Sequence, residues 1–251
     1  MAASKDSPEI TIRALTTPED FRGCVRLQQE IWGFSAEDSL PVRLFVVARR
    51  IGGQIFGAFD GAEMIGFCVA LPGLKAHGKN YLHSNMLGVR DKYRDFGVGR
   101  RLKHAQRDDA LARGIGLIEW TFDPFEIKNA YFNMERLGAV VQRYVLNQYG
   151  ITSSALHGGL PTDRCIAEWF LSSDRAVAAA EGRPIPRPLI EEHIDVRGDF
   201  VELKRKDPAG AREAQRQVSE AFLDAFRREL TVVGIEKTPT GAAYLLGRWN
   251  P

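Results

Sequence analysis

Residues 87–102, LGVRDKYRDFGVGRRL, join the end of an apolar stretch to the start of an amphipathic one. Residues 81–89 predict a strand, and apolar residues at helical spacing predict a helix over 97–113. Gly97 and Gly99 stand where this helix begins. The first N–H groups of a helix have no partner within it, and glycines let a phosphate approach them without interference from a Cβ atom. The stretch is therefore a candidate phosphate-binding loop.

Two common phosphate-binding motifs do not match this stretch. A dinucleotide-binding fingerprint requires a third glycine at the position of Leu102, and a P-loop requires a Gly-Lys-Ser/Thr sequence that is absent. The preceding strands also differ, because residues 54–59 and 64–71 flank the turn sequence DGAE and predict an antiparallel hairpin. A glycine loop that binds a diphosphate beside an antiparallel sheet fits the sequence better.

The N-terminal part of the chain predicts an α+β fold with about six strands. The predicted segments are a strand over 10–15, helices over 18–32 and 41–50, the hairpin strands closed by Pro72-Gly73, the strand 81–89 and helix 97–113, a strand over 115–122, a short helix over 129–137 and a strand over 139–146. The loop and helix between residues 89 and 115 form a crossover unit, which predicts that the strands on either side are parallel. We therefore expect a mixed, mostly antiparallel sheet with flanking helices.

The remaining residues predict an α/β extension packed on this domain. The predicted segments are strands over 165–171 and 200–203, helices over 174–181 and 210–230, and a final hairpin over 232–235 and 242–246. The proline-rich stretch 182–188 is too short for a free linker. The expected division is a domain over 8–150 and an extension over 151–251, whose element order also allows a degenerate second copy of the first fold.

The charge of the chain is concentrated around the candidate loop. Among 251 residues, 34 Lys and Arg oppose 32 Asp and Glu, so the net charge is 34 − 32 = +2. Seven basic and two acidic residues lie between Arg90 and Arg107, so this window carries 7 − 2 = +5 and the remainder −3. A nearly neutral chain argues against a nucleic-acid-binding protein. The basic window is instead expected to attract a polyanionic ligand.

Composition also bears on location. The longest strongly apolar stretch, residues 44–48, is far shorter than the roughly 20 residues that cross a bilayer, and residues 1–9 do not resemble an export signal. Cys24, Cys68 and Cys165 contain no C-x-x-C pattern and are expected to be buried thiols rather than disulfides or metal ligands. We expect a cytoplasmic protein without a membrane partner or a metal site.

The sequence of residues 87–102 resembles the acyl-CoA signature of the GNAT superfamily of N-acyltransferases, Arg/Gln-x-x-Gly-x-Gly/Ala. Residues 129–138 resemble the later Asn-helix-Leu-Gly segment of that superfamily, and the order of elements agrees. Residues 30–33, 120–124 and 159–164 together resemble a bacterial branch of the superfamily that is longer than the minimal domain. The resemblance implies a GNAT fold over residues 8–150. It also implies transfer of an acetyl or other acyl group from acyl-CoA to a primary amine of a small molecule or peptide, and it is compatible with a homodimer.

The resemblance assigns ten positions to CoA binding. They are Leu87, Gly88, Val89, Arg94, Gly97, Val98, Gly99, Arg100, Asn129 and Phe132. The N–H groups of Gly97, Val98 and Gly99 would hold the diphosphate, with the two arginines supplying charge beside it. The backbone of residues 87–89 would pair with pantetheine, and Asn129 and Phe132 would line the far wall of the cleft.

Acyl transfer to an amine also requires groups that move protons. An alkylammonium with a pKa of about 10.4 must lose a proton before it attacks the thioester. Asp123, at the end of strand 115–122, is the first candidate base, although Asp123-Pro124 is equally typical of a turn. His83, on the neighbouring strand, is the second candidate, and Glu119, expected to face away from Trp120, is a weaker third.

The sequence departs from the superfamily at the usual position of the general acid. A tyrosine is expected four residues before Gly138, but Met134 stands there and the nearest tyrosine is Tyr131. Catalysis by Tyr131 is therefore one expectation. The alternative is a protein that keeps the acyl-CoA cleft without catalysis, as a sensor or scaffold.

Overall fold

The computed structural model of the chain describes residues 9–150 and 159–251. Residue contacts divide the chain into two compact units, Met1–Ile118 and Glu119–Pro251, so the division falls inside the fifth strand. Residues 8 and 151–158, at the two ends predicted for the domains, lie outside the described residues. The division at residue 150 and the parallel crossover strands stay predictions.

From residue 9 onward, the part of unit 1 that the structure describes contains four strands and three α-helices. In chain order these are β1 (Ile10–Ala14), α1 (Pro18–Trp32), α2 (Val42–Arg50), β2 (Gln54–Asp60), β3 (Glu63–Leu74), β4 (Asn80–Val89), a 3₁₀ turn (Asp91–Phe96) and α3 (Val98–Ala112). The strand order is β1-β2-β3-β4, and every neighbouring pair is antiparallel. The predicted hairpin and the strand that follows it are therefore confirmed.

The ends of α1 form as the sequence predicts. The hydroxyl of Thr17 accepts a hydrogen bond from the backbone N–H of Asp20, and the Asp20 carboxylate accepts one from the N–H of Thr17. This reciprocal pair is a capping box, which fixes the first turn. At the other end Gly33 adopts a left-handed φ of 66°, which glycine adopts without steric cost.

The prediction that Pro72-Gly73 ends β3 was wrong, because the strand continues to Leu74. Pro72 pairs with Leu82 and Gly73 pairs with Tyr81 in the ladder to β4. A Cβ atom at Gly73 would collide with the Tyr81 ring, so the glycine makes room for an aromatic side chain lying across it. A cross-strand contact of this kind offsets the low strand propensity of glycine.

The sheet of unit 1 has a hydrophobic cluster on each face. Phe67 belongs to the cluster formed with α1 and α2, and the next residue, Cys68, belongs to the cluster formed with α3. Alternate residues of a strand point to opposite faces, so β3 supplies both clusters. Cys24, Cys68 and Cys165 are all buried free thiols, as predicted.

Outside residues 151–158, which the structure does not describe, unit 2 contains six strands in the order β5-β7-β6-β9-β10-β8. Its elements are β5 (Leu117–Phe122), α4 (Ile127–Tyr131) continued by a π-helical turn (Phe132–Arg136), β6 (Val140–Val145), β7 (Arg164–Phe170), α5 (Asp174–Ala180), β8 (Glu192–Arg197), α6 (Phe200–Lys206), α7 (Pro208–Arg227), β9 (Thr231–Thr238) and β10 (Gly241–Gly247). β7, which lies beyond the predicted boundary at residue 150, stands between β5 and β6. The predicted α+β class, with helices flanking the sheet, is confirmed.

One predicted strand of unit 2 was wrong. Residues 200–203 begin α6, and the strand in this region is β8, which the sequence reading missed. Phe200 is buried and Leu203 packs with it three residues later, a spacing that suits a helix. In β8 only Ile194 and Val196 are buried, so the alternation involves two apolar residues and is a weak signal.

Gly138 lies between the π-helical turn and β6, where the chain packs closely against the start of α5. Its φ is +73°, and a Cβ atom would lie 2.5 Å from the carbonyl oxygen of Arg175. We expect Gly138→Ala to lower the free energy of unfolding by about 3 kcal/mol, because a left-handed alanine alone costs about 1–2 kcal/mol and the collision adds to it.

Gly182→Ala is the matched control in a denaturant titration. Gly182 has a φ of +71° but no atom within 4 Å of the added Cβ, so only the conformational cost of about 1–2 kcal/mol applies. Equal losses for the two variants would contradict the predicted collision.

Candidate functional site

β4 carries a β-bulge that changes which side chains face α3. Val69 of β3 pairs with Met86 and Ala70 pairs with Ser84, so Asn85 is an extra residue without a partner on β3. Because of this insertion, Ser84 and Leu87 both face α3, although they are three residues apart. Bulges occur preferentially near functional sites, where they redirect side chains and interrupt pairing.

The start of α3 follows this strand. Gly97 is the N-cap residue, with a left-handed φ of 69°, and no side chain caps the helix. Gly97 therefore has a conformational reason to be glycine. Gly99 has none: its φ is not in the left-handed region, and an added Cβ would contact only Leu87 Cδ2, at 3.4 Å. The helix start thus presents backbone N–H groups beside space that no side chain fills, which suits an anion.

Most basic residues around this helix start are held by neighbouring groups. Arg90 pairs with Glu30 and Glu63, and Arg101 donates to the carbonyl oxygen of Ile10. The predicted attraction of a polyanion by the whole window is therefore reduced by local pairing. Arg94 differs, because its only ion-pair partner among the described residues is Asp91, at 2.6 Å, and both side chains are exposed. An exposed pair contributes little stability and exchanges readily for a phosphate.

A buried polar cluster lies between α3 and the bulged part of β4. Lys103 Nζ donates a hydrogen bond of 2.8 Å to Ser84 Oγ, and Ser84 Oγ donates one of 3.0 Å to Gln106 Oε1. Gln54 on β2 donates to the carbonyl oxygen of Gln106 and to Asp109 Oδ2. Lys103 is 3% exposed and Ser84 is 5% exposed. Sequence reading missed this cluster and counted Lys103 as part of the basic window.

Burial makes the Lys103 ammonium unfavourable. Removal of the charged amine from water lowers the pKa of Lys103 to about 7, while the neighbouring Cys68 thiol acts weakly in the opposite direction. The same burial raises the pKa of Cys68 to about 12, so that thiol remains protonated. Lys103 therefore titrates near neutral pH, in the range useful for proton transfer.

His83 lies on β4 beside Ser84 and pairs in register with Leu71. Adjacent residues of a strand point to opposite faces, so His83 faces the α1 and α2 side of the unit 1 sheet while Ser84 faces α3. Unit 1 thus brings Ser84, Leu87 and the Gly97–Gly99 segment together on one face, and His83 lies on the other.

Asp123 belongs to unit 2 and follows β5. Its Oδ1 accepts a hydrogen bond of 2.9 Å from the N–H of Phe125, and its Oδ2 lies 3.9 Å from Arg164 Nη1. The first contact is that of an Asx turn, so the carboxylate has a role in shaping the chain after β5. Asp123 stays a candidate base, with a structural function beside it.

Asn129, Tyr131 and Phe132 also belong to unit 2, in α4 and the π-helical turn after it. Asn129 and Tyr131 are exposed and Phe132 is half-buried, so these side chains are accessible to a ligand. Met134 is fully buried and fills the core. The position of the expected acid therefore presents no proton donor. Short π-helical turns are frequent at functional sites, but nothing in the composition of this segment signals one.

A second charged cluster of unit 2 involves Glu119. Arg143 Nη2 lies 2.6 Å from Glu119 and 3.1 Å from Glu168, and both carboxylates are buried. A β-bulge between Val141 and Arg143 shifts the register of β6 against β7. One guanidinium therefore pairs with two buried carboxylates. The sequence predicts Glu119 only as a weak candidate base. It gives no sign of the neighbouring Arg143 and Glu168.

The described residues contain neither a metal-binding cluster nor a membrane-spanning helix. No group of three or more His, Cys, Asp or Glu side chains in residues 9–150 and 159–251 could hold a metal ion. Within the same ranges, no helix is both long and apolar enough to cross a membrane.

Comparison with known proteins identifies the fold. The Desulfovibrio desulfuricans protein described as a GNAT-family acetyltransferase matches 65% of this chain and 99% of its own, with 15% identity and a TM-score of 0.52. The NatC complex bound to Gag peptide and CoA matches with the same coverage, 16% identity and a TM-score of 0.52. An Arabidopsis thaliana protein bound to the bisubstrate analogue CoA-Ac-MVNAL matches 63% of this chain and 97% of its own, with 14% identity and a TM-score of 0.50.

The chain has the GNAT acetyltransferase fold. No protein-family model matches the sequence, and no curated protein matches it. At 14–16% identity the structural matches show the fold alone. The chemistry of this chain has to be inferred from its own residues. Within the GNAT fold, the segment predicted from residues 87–102 begins α3 as expected.

The buried ammonium gives a stability prediction with a defined pH dependence. In the unfolded chain the pKa of a lysine is about 10.4, whereas Lys103 in the folded chain has a pKa of about 7. Between these values the unfolded chain binds more protons, so the parent gains stability as pH rises. Lys103→Met should therefore be more stable than the parent by up to about 4 kcal/mol at pH 7, and the gain should shrink towards pH 10.

Denaturant titrations at pH 7, 8.5 and 10 measure this difference. Lys206→Met, which removes an exposed lysine of α6, is the control and should show no pH-dependent difference from the parent. A stability difference for Lys103→Met that stays constant across the pH range would contradict a depressed pKa.

Proposed function

We propose that the protein is an acyl-CoA-dependent N-acyltransferase that transfers an acetyl or other acyl group to a primary amine. The observation that carries this proposal is the start of α3, where Gly99 leaves space that the protein's own packing does not require. Two of the proteins with similar folds are bound to CoA or a CoA-containing analogue, which supports acyl-CoA as the donor.

The residues present fit a CoA diphosphate. The N–H groups of Gly97, Val98 and Gly99 lie at the positive end of the α3 dipole, and two or three such groups directed at one anion form a strong site. Arg94 would exchange its exposed partner Asp91 for a phosphate oxygen, and Arg100, on the first turn, adds positive charge. The backbone of Leu87, Gly88 and Val89, on the strand that leads to this loop, is proposed to pair with pantetheine.

The remaining proposed roles belong to unit 2. Asn129 and Phe132 are proposed to contact CoA, and their accessibility is compatible with that role. The acceptor is proposed to be a small-molecule or peptide amine, because one neighbour is bound to a peptide together with CoA. We propose that the protein is cytoplasmic and that it can form a homodimer.

Three groups are proposed to transfer protons during the reaction. Asp123 or His83 would take a proton from the ammonium, and Tyr131 would donate one to the leaving group. Glu119 is the further candidate base, and its carboxylate lies 2.6 Å from Arg143 Nη2. A sensor or scaffold that only binds acyl-CoA is the second candidate function, and the buried Met134 at the expected acid position favours it.

Gly99→Glu tests the proposed diphosphate site. A glutamate in the first turn of a helix interacts favourably with the helix dipole, so we expect folding to be preserved. Its charge would occupy the space for the diphosphate, so the Kd for CoA should rise at least tenfold, equivalent to about 1.4 kcal/mol. Calorimetric titration with CoA measures this change.

Gly116→Glu is the control for the added negative charge. Gly116 is exposed, lies before β5 and has no atom within 4 Å of an added Cβ. Its variant should bind CoA like the parent. An unchanged Kd in folded Gly99→Glu would refute the proposed diphosphate site.

Release of free thiol from acetyl-CoA distinguishes the two candidate functions. We expect the parent to release thiol in the presence of at least one primary amine from a panel of peptides, polyamines and aminoglycosides. Asp123→Asn should then lower kcat at least tenfold and remove the rise of the rate with pH if Asp123 is the base. Tight CoA binding without turnover of any amine would instead identify a binding protein.

A further inference from the structure

We propose that Lys103 and Ser84 form a proton relay to the departing thiolate of the acyl donor, a role that rests on the proposed function. The relay would supply the proton that the buried Met134 cannot, and it is an alternative to Tyr131 as the proton donor to the leaving group. It involves only β4 and α3, the two elements of unit 1 that are proposed to hold the donor.

The position of the relay follows from how α3 lies along β4. Gly99, Lys103 and Gln106 are four and three residues apart, so they lie on one face of the helix. Gly99 approaches Leu87, while Lys103 and Gln106 reach Ser84, on the far side of the bulged residue Asn85. A donor held at the start of α3 and paired with the backbone at Leu87 would extend towards this bulge. Its sulfur end would therefore approach Ser84.

The hydrogen bonds have the polarity that a relay requires. Lys103 Nζ is the donor and Ser84 Oγ the acceptor, at 2.8 Å. The Ser84 hydroxyl has one proton, which points to Gln106 in this structure, and a serine hydroxyl rotates freely between acceptors. Rotation towards sulfur would align Nζ, Oγ and the thiolate in one chain.

The proposed step balances in atoms and charge. The acceptor nitrogen forms a C–N bond to the acyl carbon, and the C–S bond breaks with its electron pair moving to sulfur. The Ser84 hydroxyl proton passes to sulfur while a proton from the Lys103 ammonium passes to Ser84 Oγ. The acceptor ammonium loses one proton to solvent before it attacks, and its nitrogen loses a second after the C–N bond forms. The thiol leaves, one of these protons restores the Lys103 ammonium, and the other stays in solvent.

The surrounding charges favour this direction of transfer. The pKa of Lys103, about 7, lies below the value of about 8.5 for an ordinary thiol, so the proton moves towards sulfur. Cys68 on β3 is protonated, and on α3 Asp109 is engaged by Gln54 and Arg113. His104, next on α3, has a pKa lowered by burial and by Arg100.

A purely structural role would not need the amine. Ser84 and Gln106 bond to each other directly, and an apolar side chain at position 103 would avoid the cost of burying a charge. An ionisable group retained at such a cost, beside a bulge and one helical turn from the candidate diphosphate site, is better explained by proton transfer.

Kinetics of three variants test the relay with acetyl-CoA and an amine that the parent turns over. Lys103→Met and Ser84→Ala should lower kcat about 100-fold, the lower range for loss of an acid catalyst, with little change in the KM for acetyl-CoA. Lys103→Arg keeps the charge but releases no proton near neutral pH, so it should be equally impaired. The parent rate should fall as the pH rises above about 7, where Lys103 loses its proton, and the variants should lack this descending limb. Lys206→Met is the control and should match the parent.

A second measurement does not depend on turnover. The Lys103 side-chain amine, assigned by its loss in Lys103→Met, is titrated by ¹⁵N NMR in complexes with CoA and with desulfo-CoA, which lacks the sulfur. The relay predicts a higher titration midpoint with CoA, because an ionising thiol near Ser84 stabilises the ammonium. Equal midpoints, or an unchanged pH profile in the variants, would overturn the relay alone. Absence of CoA binding, or CoA binding without turnover, would overturn the proposed function and the relay with it.

Discussion

The packing of α3 across the bulged strand β4 is the constraint on which the candidate site depends. In a regular strand without the bulge at Asn85, Ser84 and Leu87 would point to opposite faces, because they are three residues apart. The bulge lets one helix meet an apolar side chain near its start and a hydroxyl farther along. The same insertion thereby fixes the direction in which the start of α3 points.

The energetics of this contact balance two opposing terms. Full burial of Val98 and Leu102 contributes about 1.5–3 kcal/mol for each side chain, or about 3–6 kcal/mol together. Moving the pKa of Lys103 from about 10.4 to about 7 costs about 4–5 kcal/mol at neutral pH. The two terms are therefore of similar size, so the burial of these two side chains roughly offsets the cost of the buried amine. Stability alone would not select a lysine here.

Sequence patterns predicted those parts of the structure that have a local cause. The ends of α1 and the glycine loop at the start of α3 depend on residues within a few positions of one another, and both lie where the sequence predicts them. The bulge at Asn85 depends on pairing between two strands, and the Lys103–Ser84 contact joins residues 19 positions apart. Lys103 could not be distinguished from its exposed neighbour Arg101 by charge counting, because helix rotation alone buries one and exposes the other.

The two glycines of the loop show how structure sharpens a short motif. Gly97 is explained by its left-handed φ, which ends the 3₁₀ turn before α3 whether or not a ligand binds. Gly99 has ordinary helical geometry, where alanine would be favoured by about 1 kcal/mol, and almost no contact that a methyl group would disturb. A glycine that is neither required by the backbone nor favoured by the helix is most simply explained by what approaches it from outside. The functional information in the pair therefore lies in Gly99, and the sequence alone gives the two glycines equal weight.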